Sequence, residues 1–338
     1  MKTPLLTICI PSYNRHEKAR RCVELLLQQA NDHLVNIIVL DNGSAQNYVE
    51  YFAGVVLFQE ALSSGALTIC RNEYNIGMSA NFLRAFEIAK SKWLWLISDD
   101  DNIRMNALET VIATIGDQPD EVGFIRFRSH LTEDKVGLNT LEEFIAFNSI
   151  SNAAFNGSIF ISNGVYRLID FKPLLHIGYQ YANTFVPHFM MIVAYMAGGK
   201  VCTLYNKEIV DYVVPELGYS YSMVAGLGVG APKHILLKLS SKNYKKFNSL
   251  FYPHNDYKVI IDLFYVCKRD ATLYVFNYLA KNYLSYVSIA RPFYKMIILR
   301  SFVFLTRSPM VFNQMIFLAE KSSKFIKKHI AEIKIRYT

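Results

Sequence analysis

Three consecutive aspartates, Asp99, Asp100 and Asp101, directly follow the apolar run 93–97. Adjacent carboxylates repel one another, so burying them at the edge of a sheet is costly unless a cation neutralises them. A hard divalent ion such as Mg²⁺ or Mn²⁺, shared with substrate phosphates, supplies that charge in many proteins. The alternative is a solvated acidic turn, in which one aspartate stabilises the amino terminus of the next helix.

Apolar runs alternate with helical patterns in the part of the chain that must position these aspartates. Strands are predicted at 5–10, 35–40, 67–70, 93–97 and 122–128, the last from an alternation of apolar and polar residues. Helices are predicted at 16–30, 46–53, 79–90 (capped by Ser79), 105–115 and 184–197. Strands separated by helices of this length predict βαβ units, and therefore an α/β fold with a mainly parallel sheet.

Polar residues follow each of the first four predicted strands, at 11–15, 41–44, 71–72 and 99–101. In open α/β sheets, ligands bind at the carboxyl ends of the strands. We therefore expect the four loops to meet at one edge. A further aspartate on that edge, Asp41, favours a binding site over a solvated acidic turn.

Composition excludes several classes of protein. The 338 residues are 52% apolar and 19% charged, which excludes a disordered or fibrous chain. No run of about 18 uncharged apolar residues is present, so we expect no membrane-spanning helix. The five cysteines lie in apolar stretches without a CxxC pair and are expected to be reduced. The first apolar run is too short for a signal peptide, which predicts a cytoplasmic location.

The net charge of +8 is distributed unevenly along the chain. Residues 1–230 carry 17 Lys and Arg against 23 Asp and Glu, a net charge of −6. Residues 231–338 carry 19 against 5, a net charge of +14. All of the excess positive charge therefore belongs to the last third.

Four ordered motifs resemble the amino-terminal half of family 2 glycosyltransferases with the GT-A fold: IPSYNR at 10–15, VLDNGS at 39–44, NEYNIG at 72–77 and ISDDD at 97–101. The resemblance covers about residues 4–200, is specific for the first 105, and points toward bacterial O-antigen and capsule sugar transferases. It implies a Rossmann-like GT-A domain over 1–230, with a nucleotide-binding half (1–130) and an acceptor half (131–230). A helical region, 231–338, would follow.

The resemblance also implies individual roles. Seven positions match the family's nucleotide pocket: Pro11, Tyr13, Asn14, Asp41, Asn42, Asn75 and Gly77. Asp41 would accept a hydrogen bond from the base, with Asn42 beside it. Gly77 would allow close approach of the backbone to the nucleotide.

The aspartates would form the family's D-x-D motif. Asp101 would bind Mn²⁺ or Mg²⁺ directly, and Asp99 would lie close to the ribose or to a metal-bound water. Asp100 would face the donor sugar as a catalytic residue. The metal would stabilise the charge of the departing diphosphate.

The chain departs from the family at the general base, which inverting members supply as Asp or Glu after a glycine-rich acceptor segment. Residues 157–162 resemble that segment, but the expected position reads NTFVPH at 183–188. His188 could deprotonate an acceptor hydroxyl or bind the metal, and its alternative is a buried structural histidine. Asp170 is the fallback base.

The basic tail interleaves aromatic and aliphatic residues with Lys and Arg, as in 291–300 and 321–328. This pattern predicts helices on an anionic membrane surface. Helices packed on the catalytic domain, with a solvated basic face, are the alternative. No nucleic-acid-binding module accompanies the charge, so no nucleic-acid partner is expected.

Residues and resemblance together predict metal-dependent transfer of a sugar from a nucleotide-diphosphate donor to a glycan. The expected acceptor is a lipid-linked oligosaccharide of bacterial surface polysaccharide synthesis. The protein would be peripheral on the inner face of the cell membrane. One alternative is a non-catalytic glycan-binding or assembly subunit that retains the nucleotide and metal site. A second is a nucleotidyltransferase, whose triphosphate loop needs glycine, and 11–15 has none.

Overall fold

A computed structural model describes residues 4–30, 35–128, 133–211, 239–251, 293–305 and 307–315, together with residues 273, 277, 280, 281, 284 and 317. The chain divides into two compact units, Met1–Pro215 and Glu216–Thr338. The predicted domain boundary between residues 230 and 231 lies outside the described residues and stays a prediction.

Strands and helices alternate through the first half of the first unit. They are β1 (Leu6–Ser12), α1 (His16–Gln29), β2 (Val35–Asp41), α2 (Tyr48–Ala53), α3 (Gln59–Ser64), β3 (Leu67–Arg71), α4 (Met78–Ile88), β4 (Trp93–Leu96), β5 (Asn102–Ile103) and α5 (Ala107–Gly116). Each strand and helix predicted for this half is present, with ends that differ by at most two residues.

The second half of this unit is less regular. It contains β6 (Val122–Arg126), β7 (Lys135–Leu138), α6 (Leu141–Asn148), α7 (Asn152–Ile159), β8 (Gly164–Arg167), α8 (Leu168–Phe171), α9 (Leu175–Gln180), α10 (Pro187–Ala197), β9 (Val201–Tyr205) and β10 (Val210–Asp211). A 3₁₀ turn, Ile161–Asn163, connects α7 to β8. Helix α10 confirms the predicted helix at 184–197.

Eight strands form one sheet in the order β3-β2-β1-β4-β8-β6-β9-β7. Six run in the same direction and two, β7 and β8, are reversed, which confirms a mainly parallel α/β fold. The first strands are in register, because Ser12 of β1 pairs with Asp41 of β2 and Asp41 pairs with Arg71 of β3. The loops that follow these strands therefore leave the sheet at one edge, here called the carboxyl edge.

One local prediction is wrong, and one predicted strand is present but more buried than its alternating residues indicate. Ser79 does not cap α4, because the helix begins at Met78 with Gly77 in the N-cap position. Strand β6 is buried on both faces rather than alternating, and even Arg126 has no exposed surface. The Arg126 guanidinium lies 5.0 Å from the centre of the Phe147 ring, which lets the cation remain inside the fold.

The described part of the second unit is mainly helical and includes the helices Ser241–Phe251 and Phe293–Leu305. Within the residues described, no helix has the length and apolar character that crossing a bilayer requires. Four cysteines, Cys9, Cys22, Cys70 and Cys202, are free thiols. Cys267 lies outside the described residues.

Gly43 joins two loops of the carboxyl edge at close range. Its φ of +72° is left-handed, and an added Cβ would lie 2.7 Å from the carbonyl carbon of Tyr74. Gly65 has a similar φ of +79°, but nothing lies within 4 Å of its Cβ position. Comparing substitutions at the two glycines therefore distinguishes the cost of a left-handed backbone from the cost of a steric clash.

We predict that Gly65→Ala costs about 1 kcal/mol of folding free energy, the cost of a left-handed alanine. Gly43→Ala should cost about 1–3 kcal/mol more, because the loop at Tyr74 must move. Urea unfolding of both variants measures the difference. Equal losses would show that the contact between the two loops contributes nothing to stability.

Candidate active site

Asp99 is held after β4 by a closed ring of three hydrogen bonds and one ion pair. Ser12 donates to its Oδ2 at 2.6 Å, Tyr48 lies 2.9 Å from the Ser12 hydroxyl, and the Arg15 backbone N–H donates to Tyr48 at 2.7 Å. The Arg15 guanidinium closes the ring at 2.7 Å from Asp99 Oδ1. Since Ser12 gives its proton to Asp99, Tyr48 must donate to Ser12. The ring thus aims donors at both carboxylate oxygens.

Asp100 shares the same arginine but is much more exposed. Its Oδ2 accepts from Arg15 Nη1 at 2.9 Å, and Ser98 donates to the other oxygen. Burial opposes ionisation, but the Ser98 hydrogen bond and the Arg15 charge hold the pKa of Asp100 below its usual value. Asp100 is therefore an ionised carboxylate that faces solvent.

Asp101 points in a different direction, toward the 3₁₀ turn Ile161–Asn163. Its Oδ2 accepts from Ser162 Oγ at 2.5 Å, and the same hydroxyl accepts from the Ser98 backbone N–H at 2.9 Å. The Ser162 carbonyl accepts from the Trp95 indole at 2.8 Å. Ser162 therefore fixes the aspartate loop to the second half of the domain.

Burial raises the pKa of two of the three carboxyl groups. It raises the pKa of Asp99 to about 6, against the opposing charge of Arg15 and the Ser12 hydrogen bond. It raises the pKa of Asp101 to about 7, against the Ser162 hydrogen bond. A cation at this position would favour the ionised forms.

Asp41 lies at the same edge with no exposed surface. The Arg71 guanidinium forms an ion pair with its Oδ2, and the Ser44 backbone N–H donates to its Oδ1 at 2.9 Å. Arg71 also donates to the Ser44 carbonyl at 2.8 Å. Sequence reasoning assigned no role to Arg71, which supplies the counter-charge for this buried carboxylate.

Asparagine side chains join the second and third loops. Asn42 donates to Asn75 at 2.8 Å, and Asn72 donates to both Asn42 and Asn81, at 3.0 and 2.8 Å. Asn75 in turn accepts from the Gly77 backbone N–H at 2.8 Å. The predicted residues Asn42, Asn75 and Gly77 therefore form one contiguous wall.

The first loop contacts the second through Asn14, whose φ is +54°. Its backbone N–H donates to Ser44 Oγ at 2.8 Å, and its side chain accepts from the Ala45 N–H at 2.9 Å. Pro11 is buried in β1, whereas Tyr13 is exposed. The structure thus brings all seven predicted nucleotide-pocket residues to three loops that contact one another.

His188 occupies the first turn of α10 and is almost completely buried. Its Nε2 lies 2.9 Å from the Ile159 carbonyl, which only accepts, so the proton is on Nε2 and Nδ1 carries a lone pair. Nδ1 has no hydrogen-bond partner among the described residues. Burial lowers the pKa of His188 to about 4, and the imidazole is therefore neutral near pH 7.

Asp170 lies away from the aspartate loop at the carboxyl edge. It pairs with Arg167 and lies 3.8 Å from Lys200. In the sheet, Arg167 of β8 lies opposite Trp93, the first residue of β4. The aspartate loop, by contrast, follows Leu96, the last residue of β4. Asp170 is therefore at the opposite edge of the sheet, and its position does not support a role as base.

The segment 157–162 also has packing functions that its resemblance to an acceptor segment did not predict. A Cβ on Gly157 would lie 2.2 Å from the Arg126 guanidinium, so glycine is needed for α7 to cover the buried arginine. The carbonyl of Ile159 holds His188, and Ser162 holds Asp101.

The part of the chain that the structure describes contains no group of three His, Cys, Asp or Glu side chains that could hold a metal ion. Mg²⁺ is commonly held by one or two carboxylates together with substrate phosphates and waters. Asp101 fits that kind of site, because it is a hard oxygen ligand whose burial already favours a neighbouring cation. The donor set thus fits a cation that takes most of its ligands from outside the protein.

Six side chains that hold the aspartates had no assigned role in the sequence: Ser12, Arg15, Tyr48, Arg71, Ser98 and Ser162. Ser12 and Arg15 belong to the 10–15 motif, and that motif was the available signal. Ser162 is 61 residues from Asp101, and Tyr48 is 36 from Ser12. No local spacing pattern marks either of them.

Comparison with known proteins agrees with this geometry. The model of the family described as glycosyl transferase family 2 matches residues 7–178. Abequosyltransferase RfbV of Salmonella typhimurium is 25% identical over 117 residues, which are 34% of this chain and 34% of RfbV. Alignments with the curated relatives span between 31% and 54% of those relatives' lengths.

Two solved structures show the same fold at low identity. S. aureus TarS 1–349 in complex with UDP-GlcNAc has a TM-score of 0.60 and 11% identity, covering 94% of this chain and 91% of that one. Mannosyltransferase PcManGT from Pyrobaculum calidifontis, in complex with GDP-Man and Mn²⁺, has a TM-score of 0.50 and 13% identity, covering 97% and 89%. Since the family model matches half of the sequence and the sheet has the expected GT-A architecture, the chain belongs to glycosyl transferase family 2.

Proposed function

We propose that this protein transfers a sugar from a nucleotide-diphosphate donor to a glycan acceptor, with Mn²⁺ or Mg²⁺ bound at Asp101. The observation that carries this proposal is the unequal pairing of the buried aspartates. Asp41 pairs with Arg71 and Asp99 with Arg15, but no described Lys or Arg forms an ion pair with Asp101. A cation at Asp101 would therefore compensate a buried carboxylate that has no ion pair among the described residues.

The bound cation would neutralise the diphosphate as it becomes the leaving group. Asp101 would be its direct protein ligand, and Asp99 would lie near the ribose or a metal-bound water. Arg15 already spans Asp99 and Asp100. Its position keeps Asp100 ionised at the exposed side of the loop, where we propose that it faces the donor sugar.

The nucleotide would lie against the three loops that carry Asp41, Asn42, Asn75 and Gly77. Asp41 is suited to accept an N–H from the base, because its carboxylate is buried and already oriented by Arg71 and Ser44. The asparagine contacts hold the opposite wall in place before the donor binds. TarS and PcManGT were solved with nucleotide sugars, which supports a donor of this class.

His188 is the proposed general base. Its Nδ1 lone pair is buried and its Nε2 proton is committed to the Ile159 carbonyl, so Nδ1 is the atom that would take the acceptor's hydroxyl proton. Because burial disfavours the imidazolium, proton uptake would have to accompany attack on the sugar rather than precede it. Direct coordination of the cation by Nδ1 is the other role that the same lone pair permits.

We propose further that the acceptor is a lipid-linked oligosaccharide of bacterial surface polysaccharide synthesis, used at the inner face of the cell membrane. Support comes from the net charge of +14 on residues 231–338. The nucleotidyltransferase hypothesis is set aside, because the chain belongs to a glycosyltransferase family.

Replacing Asp101 tests the central proposal. Asp101→Asn should reduce metal-dependent release of nucleoside diphosphate at least about a hundredfold, because the direct metal ligand is lost. Asp117→Asn, an exposed carboxylate at the end of α5, should change it little. Release is measured with UDP-, GDP-, CDP- and dTDP-sugars in Mn²⁺. If the wild-type protein binds none of them in Mn²⁺ or Mg²⁺, the proposed function is wrong.

The raised pKa of Asp101 predicts a pH-dependent stability of the metal-free protein. The folded pKa of about 7 exceeds the unfolded value, so the stabilisation is complete below about pH 4 and is lost as pH rises through 7. At pH 8, Asp101→Asn should therefore be more stable than wild type by about 2–4 kcal/mol, or roughly 5–10 °C in Tm. Near pH 4 the two should melt together.

Thermal melts in a chelator from pH 4 to 8 measure this difference. Asp117→Asn should run parallel to wild type throughout. A wild-type Tm that exceeds that of Asp101→Asn at pH 8 would show that the buried carboxylate is already compensated without a metal.

His188→Gln separates the chemical role of the ring from its structural role. Glutamine Nε2 can keep the hydrogen bond to the Ile159 carbonyl, but it offers no basic nitrogen at the Nδ1 position. We expect transfer to fall at least about a hundredfold while nucleotide binding in Mn²⁺ is retained. Turnover within about threefold of wild type would remove His188 from the mechanism.

A further inference from the structure

The helix Phe293–Leu305 in the second unit has one buried side and one exposed apolar side. Met296, Leu299 and Val303 are buried, at the spacing of one helix face. On the rest of the helix, four large apolar side chains are between 50% and 64% exposed: Ile297, Ile298, Phe304 and Leu305. Because the buried side already anchors the helix, the exposed residues are not its core contacts.

Cations accompany these apolar residues. Arg300 is exposed on the same helix, and Arg307 follows it with its guanidinium 5.3 Å from the centre of the Phe304 ring. The Arg300 and Arg307 side chains, together with Lys281 and Phe304, line one cleft. We call the set Ile297, Ile298, Arg300, Phe304, Leu305 and Arg307 the basic apolar face.

The part of the sequence that carries this face has little negative charge. Residues 231–338 have only five Asp and Glu against 19 Lys and Arg, and none of the five is among the residues that the structure describes. A second copy of the same face would bring like charges together. The occupant must therefore be anionic and must also cover aliphatic side chains.

We infer that the basic apolar face binds the surface of an anionic lipid bilayer. Ile297, Ile298, Phe304 and Leu305 would enter the boundary between head groups and acyl chains, while Arg300 and Arg307 contact lipid phosphates. Nucleic acid would satisfy the arginines but leave the aliphatic side chains in water. A bilayer satisfies both, and this inference does not depend on the chemistry at Asp101.

Cosedimentation of the full chain with vesicles, without donor or acceptor, tests the inference. Vesicles of equal phosphatidylglycerol and phosphatidylcholine should bind the protein, and pure phosphatidylcholine should bind it at least about tenfold more weakly. Arg300→Gln/Arg307→Gln should weaken binding to the anionic vesicles roughly 25-fold, about fivefold for each cation, and reduce its salt dependence. Ile297→Ser/Phe304→Ser should weaken it at least about tenfold with the salt dependence unchanged.

Matched controls lie in the first unit. Arg21→Gln/Arg84→Gln removes two exposed arginines, one from α1 and one from α4, and Ile169→Ser removes an isoleucine that is 76% exposed on α8. Both should bind vesicles like wild type. Circular dichroism and melting of each variant confirm that it is folded.

Three results would overturn the inference. The first is equal binding of wild type and both face variants to the anionic vesicles. The second is tighter binding to duplex DNA or RNA than to the vesicles. The third is a dimer that Ile297→Ser/Phe304→Ser dissociates, in a protein that does not cosediment. Sugar transfer is not measured in any of them, so they leave the proposed sugar-transfer chemistry unaffected and bear only on the proposed membrane location.

Discussion

Buried negative charge at the carboxyl edge is the constraint on which the first unit depends. Asp41, Asp99 and Asp101 are at most 7% exposed, and they lie where parallel strands end. An isolated buried carboxylate is unstable, so each must find a donor or a cation within the fold. The donors come from residues far apart in the chain, and satisfying them fixes how the two halves of the domain meet.

The three aspartates are stabilised unequally. Arginine neutralises Asp41 and Asp99, whereas Asp101 accepts a hydroxyl from Ser162 and keeps a pKa of about 7. A group that is costly to ionise in the free protein gains most from a bound cation. The same inequality explains how one acidic loop can combine a rigid scaffold at Asp99 with a binding position at Asp101.

Burial also destabilises the charged form of His188, which is a cation instead of an anion. Burial disfavours its cationic form and lowers its pKa to about 4, while the Ile159 carbonyl determines which nitrogen carries the proton. Asp101 and His188 are both held by the segment that ends α7 and forms the following 3₁₀ turn. A short stretch of the second half therefore links the proposed metal ligand to the proposed base.

Much of the fold could be predicted because hydrophobic periodicity is local. The alternation of apolar runs and helical patterns placed four strands and four helices of residues 5–116 to within two residues, although α3 and β5 were not predicted. It also indicated which loops would share an edge. The second half was harder. Strand β6 was predicted from its alternating residues, although it is buried on both faces, whereas β8, a reversed strand of four residues, was not predicted.

The sequence by itself determined the order of the elements, the loops that contain Asp41 and the aspartates at 99–101, and the uneven charge of the chain. Only the tertiary structure decided which carboxylate has an arginine, which nitrogen of His188 is free, and that Asp170 lies at the opposite edge. The physical reason is that the residue patterns that predict strands, helices and loops are local properties of the chain. Ionisation and hydrogen bonding depend on burial and on partners such as Ser162, which folding brings across 61 positions.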